Sequence, residues 1–242
     1  MKMKYAIIAD IHGNLEALQV VLDDIQTQKC AHVVCLGDIV GYNANPKECL
    51  DLIRSLNCPC VKGNHDDYCS SEEDLAGFNP HAAEAVSWTR KHLNDNDRKW
   101  LRELKYYRMV ANFTMVHATL DGPQHWGYVF DKLEAAASFT YQNTPVCFFG
   151  HTHVPLAFIR DSVVRGGTYS KFKVEPGRKY FLNVSAVGQP RDGNPKAGYV
   201  VYDMDESSIE LRRLDYDIPK TQEKILAAGL PRRLAERLAF GK

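Results

Sequence analysis

Short apolar runs that alternate with amphipathic segments are the feature that most constrains the fold of this 242-residue chain. The apolar run 5–10 precedes a segment with apolar residues at helical spacing, for which Asn14 is the expected N-cap. The run 32–36 precedes a second such segment, which Asn45-Pro46 opens with proline at the first helical position. Strands that alternate with connections of helix length predict parallel pairing and right-handed crossovers.

The pattern of predicted elements changes after residue 153, where short strands separated by Gly, Pro, Asp and Asn replace the strand–helix alternation. The remaining predicted strands are a short one at Val61, a hairpin over 107–110 and 113–117, and runs over 146–149, 155–160, 169–174, 180–184, 198–204 and 208–214. The remaining predicted helices are 80–93, 95–104 (with Asp95 as cap), 131–141, 220–228 and 231–240. No repeat or linker interrupts the chain, so we predict one α/β (α+β) domain over 1–242, with the helices of about 219–240 packed on it. Its expected architecture has two packed sheets flanked by helices.

Composition limits the partners and the compartment. The chain carries 30 Lys+Arg and 30 Asp+Glu, and this zero net charge argues against a nucleic-acid polymer or an anionic membrane as partner. No apolar stretch reaches the roughly 18 residues of a membrane span, and the first apolar run is too short for a signal peptide. The seven cysteines are an odd number, which favours reduced thiols and a cytoplasmic protein. Cys58-Pro59-Cys60 suggests a metal or redox pair, but further ligands are missing and strand entry is the favoured interpretation.

Residues of metal-ligand type follow several of the predicted strands. Because ligands of open α/β sheets bind at the carboxyl ends of strands, we expect these residues to lie near one another. On extended backbone, residues two apart point the same way, so Asp10 and His12 can reach one point, as can His151 and His153. The full set is Asp10-Ile11-His12, Gly37-Asp38, Gly63-Asn64-His65-Asp66, His117 and Gly150-His151-Thr152-His153.

These side chains offer carboxylate, imidazole and amide oxygen, a mixture that suits Mn, Fe, Zn, Co or Ni better than Mg or Ca. Seven candidate ligands are too many for one ion and suit two ions that share a carboxylate. The glycines before Asp38, Asn64 and His151 let the backbone turn sharply or approach a ligand closely. Any one of these polar residues alone is more often a cap or a satisfied core residue, but coincidence does not explain the whole set.

The motif set and its spacing, 28 residues from Asp10 to Asp38 and 26 from Asp38 to Asn64, resemble the calcineurin-like metallophosphoesterases. The resemblance implies a four-layer sandwich of two mixed β-sheets between helices, two divalent metal ions and a metal-bridging hydroxide that attacks phosphorus. It also implies that His65 neutralises the phosphoryl oxygens or protonates the leaving oxygen, and that Asp66 orients His65. The implied ligands are Asp10, His12, Asp38 and His153 for one ion, and Asp38, Asn64, His117 and His151 for the other.

The chain resembles most the small prokaryotic phosphoesterases of that superfamily, some of which hydrolyse dinucleoside polyphosphates. A small phosphodiester or dinucleoside polyphosphate is therefore the expected substrate, with manganese among the candidate metals. A phosphomonoesterase or Ser/Thr protein phosphatase is the alternative, although no arginine occurs between Asp38 and Arg54 to hold the phosphate as in the protein phosphatases. A silent scaffold of the same fold is a third reading, which predicts missing ligands.

Three further residues are candidate substrate contacts. Arg191, in a stretch that resembles a loop near the metal site of the small phosphoesterases, offers a guanidinium that fits a phosphate, or is a surface arginine after a turn. Tyr42 and Asn43 either line the site and stack a base or pack the loop after Asp38. The loop 118–130 has no assigned role, though Trp126 and Tyr128 are placed to gate the site. The basic cluster Arg232, Arg233 and Arg237 is interpreted as a solvated helix face.

Overall fold

The computed structural model describes residues 3–242, and the strands in this part of the chain form two mixed sheets. The first sheet has the order β2-β1-β10-β11-β8, with β1 (Lys4–Ile8), β2 (His32–Cys35), β8 (Lys171–Lys173), β10 (Ala197–Asp203) and β11 (Ser208–Leu214). The second has the order β3-β4-β5-β9-β6-β7, with β3 (Tyr107–Val110), β4 (Phe113–Val116), β5 (Val146–Phe149), β6 (Ala157–Arg160), β7 (Val164–Gly167) and β9 (Lys179–Asn183). β1 and β2 are parallel, as are β4, β5 and β9, and the other pairs are antiparallel.

Helices cover the outer faces of both sheets. They are α1 (Leu15–Thr27), α2 (Pro46–Ser55), α3 (Asn64–Ser70), α4 (Pro80–His92), α5 (Asp95–Glu103), α6 (Lys132–Tyr141), α7 (Ile218–Ala227) and α8 (Arg232–Glu236), with 3-10 turns at Pro123–His125 and Arg237–Phe240. Asn14 caps α1 as predicted, because its Oδ1 accepts a hydrogen bond from Ala17 N at 3.1 Å. Pro46 occupies the first position of α2, where its missing N–H costs nothing.

The inner strand β1 shows why its sequence is apolar from Tyr5 to Ile8. Ile7 belongs to the cluster between the sheets, with Phe113 and Phe148, whereas Ile8 faces the cluster under α1 and α2. Since successive side chains of a strand point to opposite faces, a strand covered on both sides has no polar positions. Phe139 of α6 packs on the outer face of the second sheet, which completes the four layers and confirms the predicted fold class.

Three local predictions need correction, and the sequence pattern misses one strand, β7. Val61 forms only an isolated bridge to Lys105 instead of a strand, and Asn94 caps α5 in place of Asp95. The loop expected after Gly63 is the short helix α3, whose sequence has no apolar periodicity that would reveal it. β7 was not predicted because it ends in Gly166-Gly167. Gly166 is needed there, since a side chain would collide with the Phe158 ring on β6.

The C-terminal helices pack on α4 through a separate apolar cluster. Leu234 and Leu238 are buried there against Ala85 and Ile225, with Tyr42 at its edge. This packing brings the C-terminal residues close to the loop that follows Asp38. Among the helices of residues 3–242, none is long and apolar enough to cross a membrane.

Candidate metal centre

Six of the seven predicted ligands lie where strands of both sheets end. Asp10 and His12 follow β1, Asp38 follows β2, His117 follows β4, and His151 and His153 follow β5, while Asn64 begins α3. Backbone hydrogen bonds join these segments: Asp10 N donates to Gly37 O at 3.0 Å and His12 N to Asp38 O at 2.9 Å. The carboxyl ends of the strands therefore converge on one buried point.

Asp10, His12, Asp38 and His153 form the first group of candidate ligands, with one donor atom of each within 4.8 Å of the others. His153 Nε2 is 3.3 Å from Asp10 Oδ1 and 3.2 Å from His12 Nε2. His12 Nε2 is 3.5 Å from Asp38 Oδ2. Ligand atoms about 2.1 Å from a common ion lie about 3.0–3.4 Å from their neighbours, so these spacings suit one cation.

Asp38, His117 and His151 form the second group, and Asn64 lies between its two imidazoles. Asn64 Oδ1 is 3.2 Å from His117 Nε2 and 3.0 Å from His151 Nδ1. Asp38 Oδ2 is 3.3 Å from His117 Nε2, and the same oxygen faces His12 of the first group. The other oxygen, Asp38 Oδ1, accepts from His65 N at 2.8 Å, which fixes the carboxylate between the groups.

The outer nitrogens of three imidazoles contact backbone carbonyls. His12 Nδ1 is 3.2 Å from Val40 O, His117 Nδ1 is 2.8 Å from Leu36 O, and His153 Nδ1 is 2.6 Å from Gln189 O. Donation to these carbonyls leaves the Nε2 of the neutral His12 and His153 rings with a bare lone pair, and these two lone pairs point at one another and at carboxylates. That arrangement is unfavourable without a cation and is typical of metal-binding histidines.

The pKa shifts at the site follow from burial and from the crowding of charge. Burial lowers the pKa of His12 and His153 well below the ordinary value and that of His151 to about 3. Burial also favours the neutral ring of His117, but the Asp38 carboxylate outweighs it and raises the pKa to about 9. The pKa of Asp38 is held well below its ordinary value, because His117, His65 and His12 outweigh the effect of burial. Most of the imidazoles are therefore neutral, the form that binds metal.

Five of the seven candidate ligands have left-handed backbone, which corrects the extended geometry expected for the two i, i+2 pairs. The φ angles are 54° at Asp10, 50° at His12, 52° at Asp38, 66° at His151 and 58° at His153. Such angles are uncommon outside glycine and cluster at functional sites. The chain thus turns at each of these five ligands, which meet through the turns instead of along an extended strand.

Two of the predicted glycines are required because the backbone passes very close to a ligand. A Cβ on Gly63 would overlap Asp38 Oδ1, and one on Gly150 would lie 2.5 Å from Asp10 Oδ2. Neither glycine has a positive φ, so the constraint is space and not backbone freedom.

The two predicted catalytic residues have different surroundings. His65 is buried, its ring centroid is 4.8 Å from that of His12, and its Nδ1 has no hydrogen-bond partner within residues 3–242. Burial lowers the pKa of His65 to about 4, and the charge of Arg191 acts in the same direction.

Asp66 does not orient His65, which corrects the role that the resemblance implied. Its Oδ2 accepts from Asp38 N at 2.8 Å and Gly63 N at 3.1 Å, and its Oδ1 accepts from Ile39 N at 2.9 Å. Both oxygens are therefore occupied by backbone amides of the loop that carries Asp38. Burial raises the pKa of Asp66 to about 7, and the Asp38 charge adds to this. Asp66 positions the Asp38 loop.

Of the three candidate substrate contacts, two lie beside the centre and one does not. The centroid of the Tyr42 ring is 4.6 Å from that of His12 and 4.3 Å from that of His65. Arg191 Cζ lies over the Tyr42 ring, 5.7 Å from its centroid. Asn43 is fully buried, with its Nδ2 donating to His12 O at 2.8 Å. Asn43 holds the His12 turn and has no surface for a substrate, so the prediction of a substrate contact there is wrong.

Residues to which the sequence assigns no definite role also lie beside the candidate ligands. In the loop 118–130, the Tyr128 ring is 4.4 Å from the His151 ring, and the Trp126 ring is 5.8 Å from that of His117. The sequence does not identify Gln189 as a site residue. In the structure its carbonyl accepts from His153 and its Oε1 accepts from Arg191 Nη2 at 2.9 Å. Only its position two residues before Arg191 pointed to it.

A four-layer fold with buried carboxylates and imidazoles at the carboxyl ends of strands from two mixed sheets is typical of metallohydrolases. The chain belongs to the calcineurin-like phosphoesterase superfamily, whose domain model matches residues 3–207. It is therefore a metal-dependent phosphoester hydrolase, and the family implies divalent metal ions at this cluster.

The chain is also similar in sequence or fold to proteins from other organisms. An uncharacterised protein of Methanocaldococcus jannaschii is 39% identical over the full length of both chains. The crystal structure of a metallophosphoesterase from Sphaerobacter thermophilus superposes with a TM-score of 0.89 at 37% identity, again covering 100% of both chains. A hypothetical protein of Pyrococcus horikoshii shares the fold, with a TM-score of 0.82 at 19% identity over 99% of this chain and 98% of the other.

Proposed function

We propose that the chain hydrolyses a small phosphodiester or a dinucleoside polyphosphate with two divalent ions. Asp10, His12, Asp38 and His153 would hold one ion, and Asp38, Asn64, His117 and His151 the other. The observation that carries this proposal is the Asp38 carboxylate, whose Oδ2 faces His12 at 3.5 Å and His117 at 3.3 Å. An oxygen shared by two ligand groups is the arrangement expected of a dinuclear centre.

Bound ions would supply a nucleophile from water at neutral pH and stabilise charge on the phosphoryl oxygens. The chain's own residues fix the rest of the geometry. His65 N holds Asp38 Oδ1, while the His65 ring lies beside His12, where it can donate a hydrogen bond to a phosphoryl or leaving oxygen. A phosphate anion next to His65 would oppose the effect of burial and favour the protonated ring.

Arg191 and Tyr42 form the substrate side of the centre. The guanidinium lies over the Tyr42 ring and is held by Gln189, so it is oriented before a phosphate arrives. A planar guanidinium matches two phosphate oxygens, which suits the oxygens that no ion contacts.

Two alanine variants separate the ligands from the catalytic histidine. Asp38→Ala removes the shared carboxylate, so we expect loss of bound metal and of turnover together. His65→Ala should keep its metal and lower turnover about a hundredfold or more, as for loss of a proton donor. Metal content by mass spectrometry and hydrolysis of bis(p-nitrophenyl) phosphate with manganese measure the two effects. His92→Ala, an exposed histidine of α4, is the control. Equal loss of metal in Asp38→Ala and His65→Ala would contradict the proposed division of roles.

A substrate panel decides between diester and monoester chemistry. Bis(p-nitrophenyl) phosphate, p-nitrophenyl phosphate and diadenosine tetraphosphate are compared with the same manganese-loaded enzyme. Turnover of the first or third supports the proposal. Turnover of the monoester alone would identify a phosphomonoesterase or protein phosphatase instead.

A further inference from the structure

A cavity of about 760 Å³ adjoins the candidate metal centre. Tyr42 and Tyr128, whose rings contact His65 and His151, lie on its inner side. Its volume is in the range of pockets that hold small ligands, and it extends away from the candidate ligands. The outer wall is built by the C-terminal residues 233–242, most of them on α8 and the 3-10 turn that follows.

The cavity wall is strongly basic. Arg191 lies near the metal centre, and Arg233, Arg237 and Lys242 continue the wall outward. Arg233 and Arg237 are four residues apart on one helical segment, so they are neighbours of like charge. No carboxylate side chain within residues 3–242 forms an ion pair with Arg191, Arg233 or Arg237. Glu236, which also lines the cavity, is paired with Arg232 at 2.7 Å.

The fold holds these arginines together against their mutual repulsion. Leu234 and Leu238 anchor the helical segment in the apolar cluster with α4. Gly193 N donates to Gly241 O at 3.0 Å, which ties the C-terminal residues to the loop that carries Arg191. Burial lowers the pKa of Arg237 to about 10, and the charges of Arg191 and Arg233 act in the same direction. At neutral pH all three guanidinium groups are charged. Arg232 and Arg233 are exposed, as expected of a solvated helix face, whereas Arg237 is half-buried, so the interpretation as a solvated face needs correction for Arg237 alone.

We propose that Arg233 and Arg237 form a subsite for a second phosphate group, so that the substrate carries at least one phosphate beyond the one that is hydrolysed. Arg237 Nε donates to Lys242 O, and no carboxylate side chain within residues 3–242 pairs with Arg233 or Arg237. Guanidinium groups without a carboxylate partner that face one cavity next to a phosphoester-cleaving centre suit a polyphosphate chain better than a simple diester. This inference rests on the proposed function, because the subsite serves a substrate only when another phosphate occupies the metal centre, although the arginines themselves can bind a phosphate chain without metal.

Binding of inorganic tripolyphosphate to the metal-depleted full chain tests the subsite without turnover. We expect the double variant Arg233→Gln/Arg237→Gln to raise the Kd about tenfold or more, as for loss of hydrogen bonds to charged groups. Arg108→Gln removes a charge from β3, outside the cavity, and should change the Kd less than about twofold. Isothermal titration calorimetry measures both. Equal Kd values for the double variant and the wild type, or an equal loss in Arg108→Gln, would overturn the subsite.

Activity adds a second readout that separates this inference from the proposed function. In the double variant, the KM for diadenosine tetraphosphate should rise about tenfold more than that for bis(p-nitrophenyl) phosphate. An equal rise for both substrates would contradict the subsite and leave the proposed function intact. A wild-type enzyme that cleaves neither substrate but binds tripolyphosphate through Arg233 and Arg237 would refute the proposed function and support the subsite.

Discussion

At the scale of single residues, the centre depends on side chains that never touch the candidate metal positions. Asp66 accepts hydrogen bonds from the amides of Asp38, Ile39 and Gly63 and so holds the turn that presents Asp38. A carboxylate is suited to this position because both of its oxygens accept, whereas an amide would direct a donor at backbone N–H groups.

This role of Asp66 predicts a defect in metal binding. Asp66→Asn should weaken metal affinity about 10- to 100-fold, the effect typical of residues that support metal ligands. Asp67→Asn is a matched control, because Asp67 follows Asp66 in α3, is partly exposed and pairs with Lys62 at 2.9 Å instead of with the amides of the Asp38 loop. Competition with a fluorescent chelator measures the affinity. Normal metal affinity with lost turnover in Asp66→Asn would restore the orienting role for His65.

Among the secondary-structure elements, strands of both sheets contribute to the site through the turns that follow them. β1 and β2 belong to the first sheet and β4 and β5 to the second, and His151 N donates to both oxygens of Asp10 at 3.1 Å across the junction. This contact requires the turn after β5 to press against Asp10, which leaves no room for a side chain on Gly150.

The close approach at Gly150 predicts a sharp difference between two glycines. Gly150→Ala places a Cβ 2.5 Å from Asp10 Oδ2 and 2.9 Å from Ala9 Cβ, so we expect lost metal binding and a free energy of unfolding lower by about 1–3 kcal/mol. Gly77→Ala meets no atom within 4 Å and should change neither. Metal content and urea unfolding measure the two quantities. A fully loaded Gly150→Ala enzyme would show that the junction is looser than the structure indicates.

At the scale of the whole molecule, the C-terminal helices extend past the residues that the family model matches and bring a basic wall to the site. The model ends at residue 207, whereas α7 and α8 lie beyond it. They are held by an apolar cluster that contains Leu234, which is 2% exposed. This cluster is distinct from the one between the sheets.

Substitutions in this cluster should reveal how firmly the helices are docked. Leu234→Ala should lower the free energy of unfolding by about 2–3 kcal/mol, because it removes buried methyl groups and leaves a cavity. Leu226→Ala on α7, where the side chain is 51% exposed, should cost about 0.5 kcal/mol or less. Urea denaturation monitored by circular dichroism measures the difference, and similar values for both variants would mean that the cluster contributes little.

Local residue patterns are sufficient to predict the fold class and all seven candidate ligands. Runs that are buried on both faces, as in β1, are apolar without interruption, and helix starts such as Asn14 and Pro46 are encoded within a few residues. Ligand motifs after strands are visible for the same reason, because each is a local pattern of residue types.

The tertiary structure decided what depends on contacts between distant segments. The left-handed turns at Asp10 and His12 are imposed by hydrogen bonds to the loop after β2, and the hydrogen bonds of Asp66 join residues 27 and 28 positions apart. The basic wall also arises only when the helices of residues 218–240 pack against α4. A local pattern records which side chains a segment carries, whereas the partner that each one meets is set by packing across the whole chain.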